Sequence, residues 1–184
     1  MKTAILGAAL AALVVSGTLR AQGWSSSAPV LTVSAKVSDV RQVQSATVVH
    51  LSFGSDGLTA GTTKTVDPTD DDPAAGTGAK LDIRFNAGTR VSVTGTPLTA
   101  EIDGATHTLT PAYTCAVALD RTGTGIQPMA GGCATGYEWG GGDVAGMLTR
   151  TVMIGASIPA EESVKAPAGT YTGSLTVTLS ASGA

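Results

Sequence analysis

The clearest hydrophobic pattern in the chain is its last one. Over residues 174–180, Leu175, Val177 and Leu179 fall on one face and Thr176, Thr178 and Ser180 on the other, the two-residue period of a strand with one buried side. Such a strand needs partners, because its backbone groups and its apolar face are both unsatisfied when it stands alone. The same period recurs upstream. Leu31, Val33, Ala35 and Val37 alternate with Thr32, Ser34, Lys36 and Ser38, which predicts a strand over residues 30–38, and residues 46–53 predict a second that Gly54 ends. Leu81, Ile83 and Phe85 alternate with Asp82, Arg84 and Asn86; Ala87-Gly88 then leads into residues 90–94, a pattern that predicts a hairpin.

The strongest local signal is Asp103-Gly104 between residues 98–102 and 105–110, since that dipeptide suits a two-residue turn needing positive φ. It sets Ile102 opposite Ala105, Ala100 opposite His107 and Leu98 opposite Leu109, with Glu101 and Thr106 on the second face. Residues 113–119 and 148–154 supply two more strands. Residues 58–78 read as poorly structured, with a short edge strand at 62–66 and an acidic, proline-containing surface loop at 67–73. Residues 120–146 read as a long glycine-rich excursion. Roughly eight to ten short strands and no convincing amphipathic helix predict one antiparallel all-β sandwich, Ig-like or Greek-key in connection.

The beginning of the chain places this domain in a compartment. Lys2, an apolar run from Ala4 to Val15 and small or polar residues up to Ala21 predict a secretory signal peptide over residues 1–21, a flexible leader over 22–29 and the sandwich over 30–184. The apolar run is too short to span a bilayer as a helix and none follows it, so no membrane insertion is expected. Loss of Lys2 and Arg20 leaves nine basic residues against 14 acidic ones, a net charge of −5 that argues against nucleic-acid binding. In an oxidising compartment Cys115 and Cys133 are expected to pair, bracing the base of the glycine-rich region as a local clamp; the alternative is two buried free thiols.

Candidate chemistry is sparse. The mature chain has His50 and His107, both within predicted strands, no Gly-x-Ser-x-Gly elbow and no His-Glu-x-x-His pair, so no catalytic residues and no enzymatic role are expected. Asp67, Asp70, Asp71 and Asp72 offer hard oxygen ligands of the kind Ca²⁺ takes, in competition with the plainer reading of a solvated charged turn; no other cofactor is implied. Tyr137, Glu138 and Trp139, followed by Asp143, put an aromatic face beside carboxylates on a braced loop. That arrangement suits stacking on a glycan ring or docking of a partner, unless Trp139 caps the core.

One resemblance spans most of residues 30–180. The order Leu51-Ser52-Phe53-Gly54, a variable loop, a polar strand ending Val93-Thr94-Gly95, then Val152-Met153-Ile154-Gly155, then Ala168-Gly169-Thr170-Tyr171-Thr172-Gly173 and a closing strand resembles secreted bacterial pilin-like domains, the spore-coat-protein-U-like and fimbrial-subunit-like groups. The chain departs from fimbrial subunits in its centrally placed cysteines and in lacking an aromatic near its end. The resemblance implies a structural or adhesive component of the bacterial cell surface that assembles with other protein subunits, copies of itself included, without catalysis. In that scheme the first and last strands are the assembly strands: Leu31, Val33, Ala35 and Val37 form a strand donated to a neighbour's groove, and Leu175, Val177 and Leu179 mark the last strand; the alternative pairs residues 30–38 within their own domain, beside residues 174–180. A secreted carbohydrate-binding module using the aromatic loop is the second reading, and a secreted enzyme the third.

Overall fold

The computed structural model describes residues 37–43, 50–119 and 125–182. Its strands in chain order are β1 (Arg41–Val43), β2 (Lys64–Val66), β3 (Asp71–Asp72), β4 (Gly76–Thr77), β5 (Ala79–Phe85), β6 (Thr89–Gly95), β7 (Leu98–Ile102), β8 (Ala105–Leu109), β9 (Ala112–Ala118), β10 (Ile126–Pro128), β11 (Tyr137–Trp139), β12 (Leu148–Ile158) and β13 (Leu175–Ala181); one helical turn, α1 (Ala160–Ser163), follows β12. All pairings among the described residues are antiparallel, and the domain is an all-β sandwich of two main sheets accompanied by two two-stranded ladders, β3-β4 and β7-β8. No helix among the described residues is long and apolar enough to cross a membrane.

The larger sheet runs β1-β5-β12-β9-β10, with β2 continuing the β5 lane beside the far end of β12. β12 is its centre: Val152, Met153, Ile154, Gly155 and Ala156 are all buried, so this strand reads as a near-continuous apolar run, whereas edge strands alternate. The smaller sheet runs β11-β6-β13. Between the sheets Ile83, Phe85, Val117, Val152 and Ile154 meet Val91, Val93 and Trp139, and Leu175, Val177 and Leu179 pack against the same cluster. Each set repeats every second residue, so the alternation read from the chain is the inward face of its strand.

The β7–β8 hairpin forms in the expected register, with Leu98 opposite Leu109 and Ile102 opposite Ala105. Asp103 (φ 53°) and Gly104 (φ 80°) take the left-handed conformation that this turn requires. Residues 79–95 depart from expectation. β5 and β6 do not pair as a hairpin; the Ala87-Gly88 turn carries the chain from one sheet to the other, where Thr89 is buried and its hydroxyl donates to the Ala87 carbonyl (2.7 Å). A hairpin and a crossing share one alternating pattern, and the difference lies in whether the two apolar faces sit side by side or face each other.

Three further expectations are corrected. Residues 126–128 and 137–139, expected inside an excursion without strands, form β10 and β11 and close one edge of each sheet. The described part of the expected 46–53 strand, residues 50–53, holds only an isolated bridge from Ser52 to Thr77. The strand near the start of the domain is β1 at Arg41–Val43; Val37 and Ser38 are not in a strand, and residues 30–36 of the expected 30–38 strand lie outside the described residues. The acidic loop contains a small ladder, β3 with β4.

Candidate functional site

The closing strand β13 carries the least complete pairing of any long strand. One edge bonds along its whole length to β6, from Leu175 opposite Gly95 to Ala181 opposite Thr89; the other edge pairs with no described strand. Half of its N–H and C=O groups therefore point away from the sheet. Proteins ordinarily blunt such an edge with Lys, Pro, a bulge or short length. β13 has seven residues, none of them Lys or Pro, and an unbroken register. Its inward residues Leu175, Val177 and Leu179 belong to the core yet stay half-buried, while Thr176, Thr178 and Ser180 are exposed. Across the open side stands β1, the edge of the larger sheet, which approaches β13.

The entry to β13 explains why Gly169-Thr170-Tyr171-Thr172-Gly173 has that spelling. Thr172 and Thr99 exchange backbone bonds of 2.8 and 2.9 Å, docking the β7–β8 hairpin onto this segment. A Cβ on Gly169 would fall 2.6 Å from Ile102 Cδ1, and one on Gly173 2.9 Å from Leu98 Cδ2, so both glycines make room for apolar residues of the hairpin. The Tyr171 hydroxyl donates to the Pro167 carbonyl (3.1 Å) and steadies the turn. At the other end of the hairpin the Tyr113 ring lies against Gly95, where any side chain would collide with it, and its hydroxyl donates to Thr96 O (2.8 Å). Burial pushes the Tyr113 phenol above its ordinary pKa.

The structure distributes the other candidate residues differently. Cys115 and Cys133 are bonded, with Cα atoms 5.2 Å apart. Cys115 lies in β9, and the Cys133 carbonyl accepts a bond from Val93 N of β6 (2.9 Å), so the link ties the two sheets together. Trp139 is 5% exposed, its ring 4.9 Å from Phe85 and 4.8 Å from Tyr137 between centroids. Tyr137 and Trp139, two apart on β11, both face inward, and Glu138 faces out opposite Arg90. Of the two roles the sequence leaves open for Trp139, its burial favours the core-capping one. Asp143 Oδ2 accepts from Gly140 N (2.9 Å) within its own 3₁₀ turn.

The acidic loop likewise spends carboxylates locally: Asp70 Oδ2 accepts from Asp67 N (2.7 Å) and Asp72 Oδ1 from Ala74 N (2.8 Å), while Asp71 is exposed on β3. Among the described residues no group of three or more His, Cys, Asp or Glu side chains gathers where a metal ion could sit. Of the expected donor residues, Val37 is 79% exposed, and Leu31, Val33 and Ala35 lie outside the described residues.

No family model matches the chain, and no curated protein matches its sequence. A chain from a solved chaperone–tip adhesin complex of CFA/I fimbriae biogenesis is weakly similar, at 12% identity and a TM-score of 0.39, over 79% of this chain and 42% of that one. This chain thus spans less than half of that neighbour, and the likeness is too distant to bear on function.

Two further features had no signal in the sequence. Arg41 stands opposite Phe85 in β1, and Arg150 opposite Ile83 in β12, so both arginines start from inward positions; each keeps a buried Nε with no hydrogen-bond partner among the described residues. Their terminal nitrogens reach backbone carbonyls, Arg41 Nη2 to Gly88 O (2.8 Å) and Arg150 Nη1 to Thr149 O (2.9 Å). Asn86, read only as a polar position, turns out to fasten the chain ahead of β1.

Proposed function

We propose that the chain is an exported structural subunit of a bacterial surface assembly, working by strand pairing with other protein subunits and without catalysis. The observation that supports this is the edge of β13: seven residues long, unblunted, and set over half-buried Leu175, Val177 and Leu179. Such an edge accepts an extended segment through main-chain bonds, with alternate side chains filling the apolar side. Leu31, Val33, Ala35 and Val37 carry the matching two-residue spacing ahead of the domain. A second copy of this chain is thus the first partner, its residues 30–37 laid along β13 so that both apolar sets face the same core. Residues 1–21 direct the export that such a role requires.

Removing residues 22–36 from the mature protein tests this. Size-exclusion chromatography and electron microscopy of the untruncated mature protein should show ordered polymers. The truncated protein should remain a folded monomer, and a synthetic peptide of residues 29–38 should bind it one to one. A truncated protein that unfolds, or one that still polymerises, would show that the segment belongs to its own sheet or that assembly uses another surface.

A further inference from the structure

The chain spells Asp-Gly twice, at Asp56-Gly57 and at Asp103-Gly104, and both dipeptides are exposed turns. An aspartate followed by glycine is open to a slow reaction of its own, because no side chain on the second residue shields the main-chain nitrogen from the carboxyl group beside it. A Cβ built on Gly57 or on Gly104 would meet nothing within 4 Å, so neither site is shielded by its surroundings. Sequence alone does not rank the two. Their backbone bonding does. At the first, Ser55 N donates to Pro73 O (3.1 Å), Asp56 N to Ala74 O (3.2 Å) and Gly57 N to Gly54 O (3.3 Å). The nitrogen that has to attack is thus engaged, and the residues ahead of it are tied to a neighbouring segment. At the second, Gly104 N donates to no backbone group among the described residues, and the turn is held by the β7–β8 ladder behind it. Asp103 is also held at φ 53°, a conformation that costs any residue but glycine some energy.

We infer that Asp103 is a self-modification site: Gly104 N attacks its side-chain carboxyl group, and the isoaspartate that results loosens the docking of the β7–β8 hairpin on Gly169. In the first step a bond forms between Gly104 N and Asp103 Cγ. One carboxyl oxygen leaves as water with the carboxyl and amide protons, and a five-membered imide closes. Water then adds back in one of two ways. Breaking the bond from nitrogen to Cγ restores aspartate; breaking the bond from nitrogen to the main-chain carbonyl carbon leaves that carbon as the free carboxylate and routes the chain through Cβ and Cγ. No reactant besides water is needed, and the product has the composition of the starting chain. Its backbone is one atom longer at a turn whose two residues set the strand register. Ile102 stands next to this turn and fills the space that Gly169 leaves for it, so it is the first contact to loosen. The next backbone tie is Thr172 N to Thr99 O (2.9 Å).

Incubating the purified protein, disulfide intact, for weeks in neutral buffer made with heavy-oxygen water tests both parts. Peptide mass spectrometry with electron-transfer fragmentation should find heavy oxygen and isoaspartate at Asp103 accumulating about tenfold faster than at Asp56, the factor that a hydrogen bond of ordinary strength supplies. In urea, where both turns are open, the two rates should converge. Asp103→Gly keeps a turn suited to positive φ and has no carboxyl group, so it should take up no label at that position. Amide exchange at Thr172 should be about tenfold faster in the isoaspartyl form, separated by chromatography, than in Asp103→Gly protein aged alongside it. Labelling at Asp56 as fast as at Asp103 in the folded protein overturns the assignment of the site, as does a difference that persists in urea. Isoaspartate at Asp103 with unchanged exchange at Thr172 overturns its effect on the hairpin.

Discussion

Trp139→Ala is expected to lower the stability of the domain by about 3–5 kcal/mol, the range for removing a large aromatic from a packed core. Trp139 fills the space between Phe85 of the larger sheet and Tyr137 of its own strand, and it stands opposite the buried Thr89 at the start of β6. Its loss opens a cavity at the turn where the chain crosses between sheets, a point the short β11 cannot close by collapsing, since it has only three residues. For a domain of this size that deficit corresponds to a fall in Tm of roughly 10–15 °C. Thermal unfolding followed by circular dichroism checks it. A variant that melts within about 2 °C of wild type would mean that the indole contributes little to packing, and would return Trp139 to the list of recognition residues.

The second large effect belongs to the disulfide. Replacing both Cys115 and Cys133 by Ala should cost about 2–4 kcal/mol, through the extra freedom of the unfolded chain and the lost packing of two buried sulfurs. The sequence alone suggested a local clamp, in which case only the segment after β9 would loosen. The structure predicts a wider response, because the Cys133 carbonyl is bonded to Val93 N in β6, and Met129 N donates to Cys115 O in β9 (both 2.9 Å). Amide exchange should therefore quicken at Val93 in the smaller sheet as well as at Met129. Faster exchange at Met129 with Val93 still fully protected would restore the local-clamp picture.

How much of this was legible beforehand differs from element to element. The β7–β8 hairpin could be read to the residue because its turn chemistry and its alternation constrain the same register. The apolar set of β13 was equally plain, since one buried face imposes a period of two. That this strand pairs along one edge only among the described residues was not legible: alternation tells which face is buried and is silent on how many neighbours a strand has. The β5–β6 crossing was misread for a related reason, as facing strands and adjacent strands show the same pattern. β10 and β11 were hidden by their length, three residues each, among glycines that signal turns. Asn86 gave no sign at all, because a side chain that stands in for a strand partner looks in sequence like any solvated polar residue.

The pairing of β13 with β6 also shapes how the protein comes to be folded. Leu175 meets Gly95 across roughly 80 residues of chain, and Trp139 meets Thr89 across roughly 50, so the smaller sheet is assembled almost wholly from distant segments. Closing such long loops precedes most of the contacts that stabilise them, which makes the reaction slow, on the scale of about milliseconds to seconds. Until β13 arrives, one edge of β6 is unpaired and the apolar face of Val91 and Val93 lacks its cover. Stopped-flow refolding of the oxidised protein should show a phase of that duration that carries the Trp139 fluorescence change, and a sub-millisecond transition would contradict it. Waiting chains expose sticky surface for that whole interval, so aggregation of chains still lacking β13 competes with the formation of native protein.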